Sequence, residues 1–383
     1  MIFMRELTRY FDWNATTPML EPALKMWTEA THSLWHNPSS LYAEAGYAKQ
    51  RLEDAREDLA DVIGLDDPER IVFTSGATEA NNAVIRHLSP NVSGRFAISA
   101  TEHPCVEASA ESYFGRERVF SIPVHPETGV IDLGRLRDEL ETSTVGAVSV
   151  MAANNETGTL QPWQDVGELC REYGVPFHCD AAQWIGKLPA DGLSQCDWLT
   201  ASGHKFGGGK GVGFLLVPQD EEFHASVGGP QERGQRAGTE NVASVIAMVE
   251  ALETVEEYGL SDVAELRGKA RDVFENAVCS ELDIHTIGGN GPRLWNTSMI
   301  LLPHSRNLKW LTRLSRRKFA VSTGSACSAG KGNPSKVMEA MGLDHEEMGR
   351  VLRLSGGWET TEEDWLTLAE ALFEIEEELR NPR

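Results

Sequence analysis

One stretch, Phe177 to Gly213, constrains the whole chain. It reads FHCDAAQWIGKLP and, after a short polar interval, DWLTASGHKFGGGKGVG. Two short apolar runs, Val175–Cys179 and Trp198–Ala201, have the length and composition of buried strands. Each ends in a polar cluster. The first delivers Asp180 and Gln183; the second delivers Ser202, His204 and Lys205. In an open α/β sheet, ligands sit beyond the carboxyl ends of the strands. An acid and a lysine placed there, 25 residues apart in sequence, suit one cofactor in particular. A lysine forms a Schiff base with an aldehyde and a carboxylate holds a protonated pyridine nitrogen, which is the demand pyridoxal 5'-phosphate makes. Taken alone, the glycine-rich segment reads equally as a turn with its lysines in solvent. It is not a nucleotide P-loop, because no Ser or Thr follows Lys210.

The rest of the chain supplies the context. At 383 residues it is long enough for a large core and more than one domain. From Arg70 onward, strand patterns at Arg70–Phe73, Arg95–Ser99, Val119–Ile122, Thr144–Met151, Pro176–Cys179, Trp198–Ala201 and Gly213–Val217 are separated by helical spacing. Such alternation predicts a mostly parallel, seven-stranded sheet covered by helices on both faces. The expected division is a large α/β domain over residues 16–255 and a smaller α+β domain formed by 1–15 and 256–383, whose strand patterns include Asp283–Ile287 and Ala320–Ser322. Before the sheet, a serine-capped helix is expected to run to Ile63, ended by Gly64.

Composition excludes several function classes. The net charge of −23 disfavours a nucleic-acid binder. No apolar run approaches a membrane span. The opening MIFMRELTRY lacks a secretory apolar region, so a cytoplasmic protein is expected. Six cysteines without a C-x-x-C pair read as reduced thiols, most of them buried, and no metal site is expected.

Four further stretches carry chemistry. T-S-G-A-T-E-A-N-N follows a strand and opens a helix. Its small residues, Ala77 among them, let backbone N–H groups approach an anion, and Thr78 adds a hydroxyl; Thr74 or Ser75 with Glu79 could equally be a simple cap. His103 and the pair Asn154–Asn155 follow two other strands; the imidazole could stack on a flat cofactor or be an exposed loop residue, and the asparagines could donate to a cofactor oxygen or only form a turn. R-G-Q-R-A-G-T-E-N, residues 233–241, suits an anion more than a core, and Arg353 on a late strand could clamp a carboxylate. Eleven of the fourteen residues from Ser322 to Ser335 are Gly, Ser, Ala, Thr or Cys, with Cys327 in the middle. A presented thiol of that kind is a nucleophile or carrier.

In this order and spacing, the motifs D-W-N-A-T-T-P, H-N-P-S-S, T-S-G-A-T-E-A-N-N, T-E-H-P, N-N-E-T-G, H-C-D-A-A-Q, S-G-H-K, R-A-G-T-E-N, G-S-A-C-S and R-L-S-G-G resemble those of the cysteine desulfurases, class-V aminotransferase relatives with the fold-type I architecture of pyridoxal-phosphate enzymes. The resemblance implies conversion of L-cysteine to L-alanine, with sulfur passing to a cysteine persulfide for iron–sulfur cluster assembly or thiolation. It implies that Lys205 holds the cofactor, Asp180 pairs with its ring nitrogen, Gln183 bonds its phenolic oxygen and His103 stacks on the ring. It also implies Ala77, Thr78, Ser202 and His204 around the phosphate, Asn155 beside cofactor or substrate, Arg353 on the substrate carboxylate and Cys327 as sulfur acceptor. Thr239 would reach the neighbour's phosphate in a homodimer, and a sulfur-acceptor protein would be a partner. A selenocysteine lyase or other β-elimination enzyme, and a catalytically silent scaffold dimer, are the alternative readings. Trp13, Tyr42, Trp295 and Trp358 stand where the family usually has other residues.

Overall fold

The computed structural model describes residues 9–324 and 335–381; Cys327 lies outside them. In chain order the elements run β1 (Arg9–Tyr10), α1 (Glu21–Ser33), α2 (Ala43–Ile63), β2 (Ile71–Thr74), α3 (Ala77–Asn91), β3 (Arg95–Ser99), α4 (Pro104–Phe114) and β4 (Val119–Ile122). They continue as α5 (Leu133–Glu141), β5 (Val145–Ser149), α6 (Trp163–Tyr173), β6 (Phe177–Asp180), β7 (Trp198–Ser202), β8 (Gly213–Leu216) and α7 (Val242–Glu256). Then follow α8 (Leu260–Glu281), β9 (His285–Thr286), β10 (Thr297–Leu301), α9 (Asn307–Arg316), β11 (Phe319–Ala320), α10 (Lys336–Ala340), α11 (His345–Met348), β12 (Val351–Ser355) and α12 (Glu362–Arg380).

The main sheet has seven strands in the order β2-β8-β7-β6-β5-β3-β4. Only β8 runs against its neighbours. Its central strands are mostly apolar because both faces are covered. Ile71, Phe73, Leu199, Ala201, Phe214 and Leu216 pack into one buried cluster with α2, α5, α6 and α7. The alternating Val72, Phe96, Ile98, Trp198 and Leu215 pack into another with α3 and α4. This is the side-chain alternation of a strand with both faces dry. A separate cluster links Phe11, α8, α9, α12 and the antiparallel sheet β12-β10-β9.

Two features set the position of the site. The chain leaves β3 outward to β4 and returns to β5 on the other side of β3, which makes a topological switch point at their carboxyl ends. One bond bridges the crevice there: the Met151 N–H donates to Glu102 Oε1 at 2.6 Å. Next to it, β6 and β7 pair in parallel with Asp180 opposite Thr200, so Asp180 and Ser202 leave the sheet side by side.

The helix after the H-N-P-S-S turn starts later than expected. Asn37 Oδ1 closes the turn on the Ser39 N–H, and α2 begins at Ala43 after Tyr42, with no side-chain cap. Gly64 ends it in the left-handed region (φ 66°), where glycine costs least. The late β-strands are shorter than their patterns suggest: Asp283–Ile287 keeps only β9, and Ala320–Ser322 gives β11 shifted one residue earlier.

Candidate active site

Ten of the twelve residues singled out from the sequence line one cavity of about 530 Å³: Ala77, Thr78, His103, Asn155, Asp180, Gln183, Ser202, His204, Lys205 and Arg353. Thr239 is exposed and lies elsewhere on this chain, and Cys327 is not described. The two ends of the undescribed segment nevertheless approach the cavity wall. Ser335 Oγ donates to Glu156 Oε2 at 2.7 Å, a Cβ at Gly324 would come 3.4 Å from the same oxygen, and Glu156 lines the cavity.

Lys205 does sit in a turn between β7 and β8, but not in solvent. Its Nζ donates to the carbonyls of Asn14 at 2.6 Å and Ala15 at 2.9 Å. Asp180 is buried; its Oδ1 accepts from the Ala182 N–H and its Oδ2 from Asn81 Nδ2 at 2.7 Å. Gln183 donates to the Asn14 carbonyl and accepts from Lys187. Lys187 is buried, and burial holds its amine well below the usual lysine range, with the charges of Lys205 and Arg353 acting the same way.

At the other end of the cavity α3 begins. Its cap is Gly76, at φ 143°, and no side chain closes the helix end. The capping alternative is therefore only half realised: Thr74 Oγ1 accepts from the Gly76 N–H and Glu79 Oε2 from Ser75, while the turn at Ala77 and Thr78 faces the cavity. The approach is tight. A Cβ on Gly76 would meet Ser202 Oγ at 3.2 Å, and one on Gly213 would meet Gly76 Cα at 2.7 Å. An open helix start with a hydroxyl and an imidazole alongside is the geometry that binds a phosphate. His204 is kept neutral there, its imidazole pushed down to about 4 by burial and then by Lys205 and Lys210. Burial also lowers His103, with Lys205 adding to the effect and Asp180 opposing it.

Arg353, almost fully buried, closes the far wall. It donates to Asp12 Oδ1 at 2.6 Å and to the Asn155 carbonyl at 2.9 Å, and its Nε has no partner among the described residues. An unpaired buried polar atom costs about 1–3 kcal/mol, which a bound carboxylate would relieve.

The structure decides three readings. The R-G-Q-R-A-G-T-E-N arginines do not reach the cavity. Arg233 donates to the carbonyls of Glu69 and Ile71, and Arg236 pairs with Glu79 at 3.0 Å, so both are consumed by structural bonds. Asn154 does not face a ligand; it donates to the Thr101 carbonyl and accepts from Glu156 and Thr157 within its own turn. Among the cysteines, Cys170, Cys179 and Cys196 are buried as expected, but Cys279 is exposed and Cys105 lines the cavity.

Residues overlooked in the sequence also matter. Asn14 joins the first segment to the site through Thr297, Lys187, Asn296 and Asn155. The unusual tryptophans explain one another. Trp13 and Trp358 meet edge to face at 5.3 Å, and a Cβ on Gly357 would strike the Trp13 ring at 2.2 Å. Trp358 and Trp295 donate to the carbonyls of Gly186 and Lys187, bracing the turn that carries Gln183.

Glu102 is the most displaced acid. It is fully enclosed, and burial followed by the Asp180 charge pushes its carboxyl well above the usual range. Its Oε2 has no partner among the described residues. A raised carboxyl is free of penalty below its unfolded value and costs stability progressively as pH rises toward its folded value, at about 1.4 kcal/mol per unit. Glu102→Gln keeps the acceptor for Met151 and cannot ionise. Thermal unfolding should therefore favour the variant more at about pH 8 than at about pH 5; the same difference at both pH values would contradict this reading.

Among the described residues no cluster of His, Cys, Asp and Glu is arranged to hold a metal, and no helix is long and apolar enough to cross a membrane. Comparison with known proteins agrees with the architecture. The aminotransferase class-V profile matches residues 9–368. A cysteine desulfurase of Nostoc sp. is 35% identical over 97% of this chain and 93% of its own length, and the cysteine desulfurase IscS of Methanosarcina thermophila is 34% identical with the same coverage. Among solved structures, a NifS-like protein superposes with a TM-score of 0.88 at 30% identity, covering 98% of this chain and all of that one. SspA in complex with cysteine gives 0.79 at 31% identity, over 91% and 98%. On this evidence the chain belongs to the class-V aminotransferase family.

Proposed function

We propose that the protein is a cysteine desulfurase: L-cysteine and an enzyme thiol become L-alanine and an enzyme persulfide. The observation that carries the reading is the convergence of Lys205 and Asp180 from β6 and β7 into one cavity whose opposite wall is Arg353. The family is pyridoxal-phosphate dependent, and the residues present fit that cofactor. The open start of α3 with Ser202 and His204 suits its phosphate, Asp180 its ring nitrogen, Gln183 its phenolic oxygen, His103 its ring face and Lys205 its aldehyde.

When bound, the cofactor supplies an electrophilic carbon for the amine and a sink for the electrons released at Cα. The protein does the rest. Arg353 orients the substrate carboxylate beside Asn155. Lys205 Nζ takes the Cα proton and later returns a proton. Asp180 holds the proton on the ring nitrogen, and His103, kept neutral by burial, can accept or deliver one. The Cys327 thiolate attacks the substrate sulfur, the Cβ–S bond breaks, and the sulfur stays on Cys327 as a persulfide. The bond of Ser335 to Glu156, with Gly324 close to the same carboxylate, supports Cys327 in this role. We also propose a division near residue 255 into a large and a small unit, supported by the separate apolar cluster of Phe11, α8 and α12. A homodimer is proposed too, in which exposed Thr239 completes the neighbour's phosphate site; sedimentation of a fully active monomer would contradict it. The persulfide would be handed to a sulfur-acceptor protein.

The test is simple. Purified protein carrying the cofactor should release alanine from L-cysteine under a thiol reductant, with one sulfide per alanine. Sulfide accompanied by pyruvate and ammonia instead would mark a β-elimination lyase.

A further inference from the structure

The motif T-S-G-A-T-E-A-N-N contains an asparagine to which nothing above gives a task. Asn81, one turn into α3, has no exposed surface, yet all four hydrogen-bonding positions of its amide are used. Asp180 Oδ2, an acceptor, lies 2.7 Å away and so faces the amide nitrogen, which fixes the orientation of the group. The second N–H points to Cys105 Sγ at 3.2 Å. The amide oxygen accepts from Thr200 Oγ1 at 2.5 Å and His178 Nε2 at 3.1 Å.

The directions of the remaining bonds follow. His178 must carry its proton on Nε2, so its Nδ1 accepts from the Ser149 hydroxyl at 2.8 Å. Burial holds this imidazole down at about 4, hence neutral. On the other branch, the Cys105 N–H donates to His103 Nδ1 at 3.1 Å, and the Cys105 thiol reaches the same nitrogen at 2.9 Å. Burial pushes that thiol up to about 12, so it keeps its proton and donates it. His103 is therefore fixed with its proton on Nε2. The two chains, Ser149 to His178 to Asn81 to Asp180, and Asn81 to Cys105 to His103, share one amide.

We propose that Asn81 is a positioning residue for the reaction: its amide fixes the Asp180 carboxylate and the His178 tautomer directly, and it turns the Cys105 thiol toward His103, whose tautomer the Cys105 N–H already holds. The proposal rests on the reading of this cavity as the cofactor site. Fully satisfied buried networks of this kind hold a unique geometry, and loss of one member leaves its partners unpaired.

The test uses the full-length protein labelled with 15N-histidine. In the wild type, His103 and His178 should both appear as neutral Nε2–H tautomers near neutral pH; His103 protonated on Nδ1 overturns the proposal. Asn81→Ala and Asn81→Asp, each checked for folding by thermal unfolding, should lose pyridoxal-phosphate affinity by about 10- to 100-fold, the usual cost of removing a supporting partner. Asn81→Ala should show mixed His178 tautomers, since the acceptor for its Nε2–H is gone, and both variants should lower kcat by a similar factor, with KM for cysteine nearly unchanged because Arg353 is untouched. A folded Asn81→Ala protein with wild-type cofactor affinity and a wild-type His178 signal overturns the proposal. If neither Asn81 variant folds, Thr200→Val decides. Loss of the hydroxyl that holds the Asn81 oxygen should weaken pyridoxal-phosphate binding in the same direction; wild-type affinity counts against the network. A wild type that binds no pyridoxal phosphate would sink the functional reading and this inference with it, whereas an active, cofactor-loaded wild type beside unaffected variants would sink this inference alone.

Discussion

Lys205→Ala is expected to lose turnover by about 10⁴-fold or more, the upper range for removing a general acid–base group, because the same amine also holds the cofactor. No neighbouring lysine can replace it. Lys187 is buried, bonded to Asn14 and Gln183, and does not line the cavity. Lys210 lines the cavity but is exposed and leaves the turn five residues later. Folding of the variant, which loses the Lys205 bonds to the Asn14 and Ala15 carbonyls, is checked by thermal unfolding. Borohydride reduction of the loaded wild type should attach the cofactor to a peptide containing Lys205. Attachment to Lys187 or Lys210, or a variant that still carries a reducible lysine linkage, would show that the site is wrongly assigned.

The second large effect is expected at Cys327. Cys327→Ser should lose alanine formation by on the order of 10³-fold or more, as removal of a nucleophile does. The hydroxyl is nearly the same size, but the thiolate is the attacking species. Steps before sulfur transfer need only Lys205, Asp180 and the bound cofactor. The variant should therefore bind cofactor normally and still exchange the Cα proton of cysteine with solvent. Full desulfurase activity in the serine variant would remove Cys327 from the reaction. Cys105, which lines the cavity, is a poor substitute because burial keeps it protonated.

Much of this was legible in the sequence, for a physical reason. The central strands of the main sheet have both faces covered, so their runs are mostly apolar and stop where the chain becomes polar. That stop is where the site residues stand: Asp180 at the end of β6, Ser202 at the end of β7, His103 and Asn155 just past β3 and β5. The short strands of the smaller sheet were harder, because in Asp283–Ile287 the buried Ile284 and Ile287 flank a stretch that pairs over only His285 and Thr286. Local sequence also could not assign Arg233 and Arg236, whose partners at Ile71 and Glu79 lie more than 150 residues away. Asn81 and His178 were overlooked for the same reason. A buried amide in a helix and a buried imidazole in a strand look like ordinary polar residues until Asp180, Thr200 and Cys105 are brought around them.

The most direct test of the account is peptide mass spectrometry on the cofactor-loaded wild type after a single equivalent of L-cysteine, without reductant, with alanine measured in the same sample. The account predicts one alanine for each added sulfur, and that sulfur on the peptide containing Cys327. Sulfur found only on Cys105, Cys170, Cys179, Cys196 or Cys279, or free sulfide and pyruvate with no alanine, would contradict it.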